Sequence, residues 1–164
     1  VFGPCAAAAL YRREALEEVG GLDGSFFCYF EDVDLSFRLR LAGHRCLYVP
    51  DAIVHHVGSA TSGRRSDFSV YHGHRNLVWT FAKNMPGPLL AVYWPHHLLL
   101  NLISLVWFTL RGQGRAIWRA KWDALRGLPR VARQRREIQA RRRVGAWELR
   151  RLMVKGWRGF GLGR

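Results

Sequence analysis

Three carboxylates fall within four positions, at Glu31, Asp32 and Asp34. An aromatic run (Phe26, Phe27, Tyr29, Phe30) precedes them, Arg38 and Arg40 follow, and a histidine pair, His55 and His56, lies downstream. A carboxylate at the junction of a loop and a helix is held rigidly and can face a cleft. From there it can take the proton of a hydroxyl within hydrogen-bond reach, which contributes roughly 10²–10⁴-fold to a reaction rate. The same acids would serve equally as helix caps, because Asp is a favoured residue at a helix start. The company they keep favours the chemical role. Two fates are open to the aromatic run, stacking on a bound ligand or packing in the core, and packing is the commoner one.

These residues need elements to position them. Arg12 to Val19 predicts a short helix stopped by Gly20-Gly21. A second helix is expected from about Asp32 to Ala42, with Leu35, Leu39 and Ala42 on one face and Gly43 at its end. Its acids lie at the start and its arginines near the end, as the helix dipole prefers. Cys46 to Val49 and Ala52 to Val54 read as short strands joined by a turn at Pro50-Asp51. The texture is α/β, with too few strands for a complete sheet.

The remainder has a different character. No residue from Leu89 to Leu110 is charged, although Pro95, His96, His97 and Asn101 interrupt the run. A spanning helix needs roughly 20 mostly apolar residues. Only Leu98 to Leu110 is cleanly apolar, so a re-entrant or interfacial helix pair is favoured over a span, with a buried core helix as the bland alternative. The chain carries 26 Lys/Arg against 12 Asp/Glu, a formal net charge of +14. Residues 1–110 hold nine of each sign, so the whole excess lies in residues 111–164, where only Asp123, Glu137 and Glu148 are acidic. Such a segment calls for a polyanion, either nucleic acid or an anionic lipid surface. Trp118, Trp122 and Leu125 follow helical spacing, and Trp147 and Trp157 add further aromatics among the arginines. Tryptophan beside arginine on an amphipathic helix suits the headgroup level of a membrane. A solvated basic helix would explain the charge but not the tryptophans. The three cysteines, Cys5, Cys28 and Cys46, lack metal-binding spacing and argue for a reducing compartment.

Taken in order, the elements resemble the family-2 glycosyltransferases of GT-A fold, and within them the rhamnosyltransferase-like members. The resemblance rests on Gly3-Pro4-Cys5-Ala6 with Leu10-Tyr11-Arg12-Arg13, then Val19-Gly20-Gly21-Leu22-Asp23 and Phe26-Phe27. It continues through Glu31-Asp32-Val33-Asp34-Leu35 with Arg38 and Ala42-Gly43, then Val54-His55-His56-Val57-Gly58-Ser59. Tyr71, Arg75-Asn76 and Lys83-Asn84-Met85-Pro86 complete the set. No single element is specific; the ordered set is.

The resemblance implies a fold, a reaction and a set of roles. The fold would be the C-terminal half of a Rossmann-like α/β domain over residues 1–85, followed by an apolar membrane-associated segment (86–110) and a basic amphipathic tail (111–164). The reaction would be inverting transfer of a sugar, with rhamnose the sugar suggested, from a nucleotide sugar to a lipid-linked saccharide in cell-envelope polysaccharide synthesis. Asp32 would be the catalytic base, supported by Glu31; Asp34 and Tyr29 would meet the acceptor, and Arg75 the donor diphosphate. His55 would ligate Mg²⁺ or Mn²⁺, with His56 as its runner-up and a structural role open to both. An anionic membrane surface would be the partner and the cytoplasmic face of the plasma membrane the location, with no specific nucleic acid. The family's donor-binding region with its Asp-x-Asp metal motif should precede residue 1. The chain is therefore expected to be part of a longer or truncated protein, and inactive alone. The competing reading is a basic module that binds nucleic acid or membrane without catalysis.

Overall fold

The computed structural model describes residues 1–56 and 66–153. Val57, Gly58, Ser59 and Trp157, which entered the sequence reading, lie outside the described residues. Six α-helices follow one another: α1 (Arg13–Val19), α2 (Glu31–Leu41), α3 (Asp67–Asn84), α4 (Gly87–Phe108), α5 (Gly114–Ala140) and α6 (Ala146–Leu152). α1 ends where Gly20 turns left-handed at φ +81° and its N–H bonds back to Glu17. α3 begins at Ser66, whose hydroxyl accepts the Ser69 N–H at 3.2 Å.

Three long helices make the scaffold. α4 runs back along α3, so that Phe81 stacks on His97 at 4.0 Å and His74 meets Phe108 at 4.9 Å. The chain reverses at Thr109–Gln113, a π-type turn in which Gly112 takes φ +82°. α5 then returns in the direction of α3, with Asp67 meeting Gln113, Tyr71 meeting Asp123, and Asn84 meeting Gln139. α5 can lie close because its inward residues are small and helically spaced: Ala116, Ile117, Ala120, Ala124 and Val131 are buried. A second cluster, of Leu41, Met85, Leu89, Ala146 and Leu149, gathers the end of α2, the α3–α4 junction and α6.

Two expectations change here. Among the described residues there is no strand, so the α/β, Rossmann-like reading of residues 1–85 is incorrect and the chain is helical. The expected strands Cys46–Val49 and Ala52–Val54 are irregular, and Leu47, Tyr48, Val49, Ile53 and Val54 are exposed. A strand gains its hydrogen bonds only from a neighbour, and a lone two-stranded unit is marginal in water. A short apolar run without a partner therefore does not yield a sheet. The basic region, read from the sequence as a tail, is in large part a packed element. The predicted helices fare better: α1 and α2 lie within a residue of their expected bounds. α4 is a single helix that continues through Pro95.

Gly127 on α5 marks the closest approach to α3. A Cβ there would stand 2.6 Å from the indole of Trp79, whose Nε1 donates to the Ala124 carbonyl at 3.0 Å. A Cβ at Gly114 would meet Thr109 at an ordinary 3.5 Å. Gly127→Ala should therefore destabilise the chain by about 1–3 kcal/mol through overpacking, a melting temperature several degrees lower. Gly114→Ala should lose nothing. Thermal unfolding followed by circular dichroism compares the two.

Candidate active site

The loop between α1 and α2 is strained. Phe27, Tyr29 and Phe30 all take positive φ, at +63°, +65° and +68°. For residues with bulky side chains each such conformation costs roughly 1–3 kcal/mol and persists only when its surroundings enforce it. The enforcement comes from α3. Asn76, wholly buried, aims its Nδ2 at the carbonyls of Phe26 (3.0 Å), Cys28 (2.8 Å) and Tyr29 (2.8 Å). Its neighbour Arg75 donates from Nη2 to the carbonyls of Ser25 (3.3 Å) and Phe26 (3.0 Å), and from Nε to Asn76 Oδ1 (2.9 Å). The Arg75 guanidinium also lies 4.4 Å over the Trp79 ring. Two adjacent side chains of one helix thus grip the loop by its carbonyl groups.

The gripped loop delivers the acids. Asp32 stands in the first turn of α2, half-buried, with Oδ2 accepting from the Ala6 N–H (3.2 Å) and Oδ1 from the Val33 N–H (2.8 Å). Each carboxylate oxygen retains a further lone pair for a hydroxyl proton. Burial, followed by the charge of Asp32, raises the Tyr11 phenol above its usual range, so this neighbour stays an O–H donor. One carboxylate oxygen of Glu31 is buried with no hydrogen-bond partner among the described residues. Burial and then the Glu31 charge push the Cys28 thiol up. Burial, with Glu31 adding to it, therefore keeps Cys28 a thiol beside the site.

The other expected residues are placed differently. Asp34 is fully buried and accepts from Arg38 Nε (2.8 Å), Lys83 Nζ (3.0 Å) and Asn84 Nδ2 (2.7 Å), so it is an interior anchor rather than an acceptor contact. Arg75, expected at the donor diphosphate, gives Nη2 to the loop, Nε to Asn76 and Nη1 to the Tyr71 hydroxyl (3.3 Å). Tyr29 belongs to the strained loop, its ring 6.3 Å from Phe68. The aromatic run divides: Phe26 is in the core, while Phe27 is 76% exposed at the rim with Phe68 and His72. His55 and His56 are exposed in irregular chain. Among the described residues no three His, Cys, Asp or Glu side chains gather, so these residues do not by themselves fit a Mg²⁺ or Mn²⁺ site. Sequence reasoning assigned no role to Asn76, Lys83 or Asn84. Their signal in the sequence was membership of the resembling set, and nothing in the spacing pointed to partners 47 to 60 positions away.

Lys83 also bonds Asp23 Oδ2 at 2.7 Å, and Asp23 accepts from Ser25 and from Gln134 of α5. Burial alone would raise the Asp23 carboxyl, but the Lys83 and Ser25 hydrogen bonds and the Lys83 charge outweigh it and hold it well below the usual range. A carboxyl depressed in the folded state contributes stability above its unfolded value, near 3.9, and loses it as pH falls toward the folded value. The melting temperature should therefore fall as pH drops below about 4, and fall less in Asp23→Asn. Asn76→Ala should release the loop, lowering stability by about 1–3 kcal/mol and exposing residues 25–30 to limited proteolysis before global unfolding.

Residues 3–77 match the family described as "Glycosyltransferase like family 2". Two proteins of Mycobacterium tuberculosis, strains CDC 1551 and H37Rv, are each named N-acetylglucosaminyl-diphospho-decaprenol L-rhamnosyltransferase. Both are 49% identical to this chain over 55 residues, 34% of this chain and 18% of theirs. Rhamnosyltransferase WbbL of Escherichia coli K12 is 43% identical over 60 residues, 37% of this chain and 22% of its own. The chain thus spans about a fifth of the length of the curated relatives it matches. No solved structure matches. The stretch that holds the strained loop, Asp32 and the Arg75–Asn76 grip thus lies within the part of the chain that is similar to family-2 glycosyltransferases, rhamnosyltransferases among them.

Proposed function

We propose that the chain forms the acceptor side of an inverting glycosyltransferase, which moves a sugar from a nucleotide sugar to a lipid-linked saccharide. The observation that carries this reading is Asp32: a carboxylate aimed by two backbone N–H groups, at the end of a strained loop, inside the matched stretch. Strain that the surroundings must enforce is common where a side chain has to be held for chemistry. The acceptor hydroxyl would donate to Asp32, lose its proton to the carboxylate and attack the anomeric carbon as the nucleoside diphosphate leaves from the opposite face. Rhamnose and a polyprenyl-linked acceptor are the classes named in the Mycobacterium relatives, and we extend both to this chain. A divalent cation, Mg²⁺ or Mn²⁺, belongs to the proposal only with ligands beyond His55.

The long helices support a membrane-associated acceptor. Among the described residues, one helical run, Gly87–Ala140, holds a stretch long and apolar enough to cross a membrane by length and composition, and its uncharged part is α4. α4 leaves Trp94, Leu98, Leu99, Leu102, Ile103 and Val106 exposed. Arginines cover exposed tryptophans beside it, Arg111 over Trp107 at 4.2 Å and Arg126 over Trp122 at 5.3 Å. Such pairs match the headgroup layer, where an indole and a cation are both accommodated. We therefore place the chain at the cytoplasmic face of the plasma membrane, where its excess positive charge meets anionic lipid.

Asp32→Asn removes the proton acceptor with little change of shape. In the chain joined to a family-2 donor-binding half, transfer to a polyprenyl-diphosphate saccharide should fall roughly a hundredfold or more while donor binding persists. Turnover near that of the parent, in a variant with unchanged melting temperature, would remove Asp32 from the mechanism.

A further inference from the structure

A crevice of about 290 Å³ opens where α4 begins and α5 ends, lined by Gly87, Pro88, Arg135, Arg136, Gln139 and Arg142. Three guanidinium groups converge there, and no carboxylate is in the lining. Among the described residues the acids of this end are engaged elsewhere or turned to solvent: Glu18 pairs with Arg143 and His44, and Glu137 is exposed. No ion pair among the described residues involves Arg135, Arg136 or Arg142. Burial and then the nearby Arg142 lower Arg135 from its usual value, as expected of cations gathered without a counterion. Arg135 and Gln139 are themselves held in place, Arg135 by the carbonyls of Ala82 (2.9 Å) and Met85, and Gln139 by that of Asn84 (3.0 Å).

The backbone adds to the same field. α4 is 22 residues long, and its first turn has no side-chain cap. Gly87 has no side chain to cover that turn, and a Cβ there would meet nothing within 4 Å. The positive end of a long helix therefore faces the same space as the arginines.

We infer that this crevice binds a phosphate or diphosphate group, held by the forked donors of Arg136 and Arg142 between the positioned Arg135 and Gln139. Guanidinium forks match phosphate oxygens in pairs, and three of them around one crevice, one already held in place, favour a compact, multiply charged anion over a single carboxylate. The group could belong to a lipid headgroup or to a soluble diphosphate, and the crevice offers both the same chemistry. Nothing in this inference uses Asp32 or the transfer reaction, so it stands or falls separately.

The test uses the full 164-residue chain in a zwitterionic detergent. Inorganic pyrophosphate is titrated calorimetrically into the parent, into Arg136→Gln/Arg142→Gln, and into a control of equal charge change, Arg133→Gln/Arg141→Gln. The crevice variant should bind at least about tenfold more weakly while the control stays within about twofold. The single variant Arg136→Gln, at an exposed position, gives the same comparison should the double variant melt early. A parallel flotation compares phosphatidylcholine vesicles with and without phosphatidic acid. Loss of phosphatidate-dependent recruitment in the crevice variant alone, without pyrophosphate binding, would identify the group as a lipid headgroup. Equal losses in the crevice and control variants, or indifference of both readouts to Arg136 and Arg142, would overturn the inference.

Discussion

The ammonium of Lys83 is the point on which the described structure turns. It is almost wholly buried and lies between two carboxylates, Asp23 at 2.7 Å and Asp34 at 3.0 Å. Arg38 completes the group from within α2, so two cations and two anions share one interior site. Such a cluster is not a large source of net stability, because desolvation offsets much of the attraction. Removing one member would nevertheless leave a buried charge unpaired, at about 3–5 kcal/mol. Its consequence is geometric. Asp34 belongs to α2, Asp23 to the preceding loop, and Lys83 to α3, while Gln134 of α5 reaches Asp23 at 2.9 Å. One charge cluster therefore sets three helices and a loop in register.

That register makes the strained loop possible. Asn76 lies two helical turns before Lys83, and both side chains face the loop from α3. With Lys83 fixing the loop's beginning and the start of α2, Asn76 and Arg75 need only hold the carbonyls between. The three left-handed residues then bring Glu31 and Asp32 out at the head of α2. Asp34, two residues further along, points inward as the anchor. The acidic motif is thus divided by its own helix into two half-buried carboxylates, Glu31 and Asp32, and one interior carboxylate, Asp34.

The same helix α5 serves both ends of the molecule. Its small inward residues and Gly127 let it lie against α3 and close the cluster that includes Phe26 and Trp79. Most of its arginines remain outside or around the α4 start, and its tryptophans Trp118 and Trp122 are exposed, but Arg130 lies 4.5 Å over the core Trp79 ring and Lys121 bonds Asn101 of α4. Apart from these two cations, basic charge and core packing are properties of opposite faces of one amphipathic helix. A substitution on either face would be read differently: core positions in stability, outer positions in what the surface attracts.

Much was legible from the residues alone where the information is local. The bounds of α1 and α2 follow from Gly20 and from the order of acids and arginines, because capping and dipole preferences act within a turn or two. The separation of charge after residue 110, and the candidacy of Asp32, were likewise visible in the linear order. The apolar run Cys46–Val49 was misleading, since a strand exists only if another strand pairs with it, and none does among the described residues. Asp32 and Asp34 are two residues apart with the same chemistry, and only packing against Lys83 and Asn84 decided which became interior. Arg75 resembled a free cation until the loop carbonyls were seen to occupy it. The sequence by itself determined helix limits, charge distribution and the likeness of residues 3–77 to family-2 glycosyltransferases, all of which depend on neighbours in the chain. The tertiary structure decided which charges are buried and which remain open, because desolvation and hydrogen bonding depend on groups brought together from distant positions.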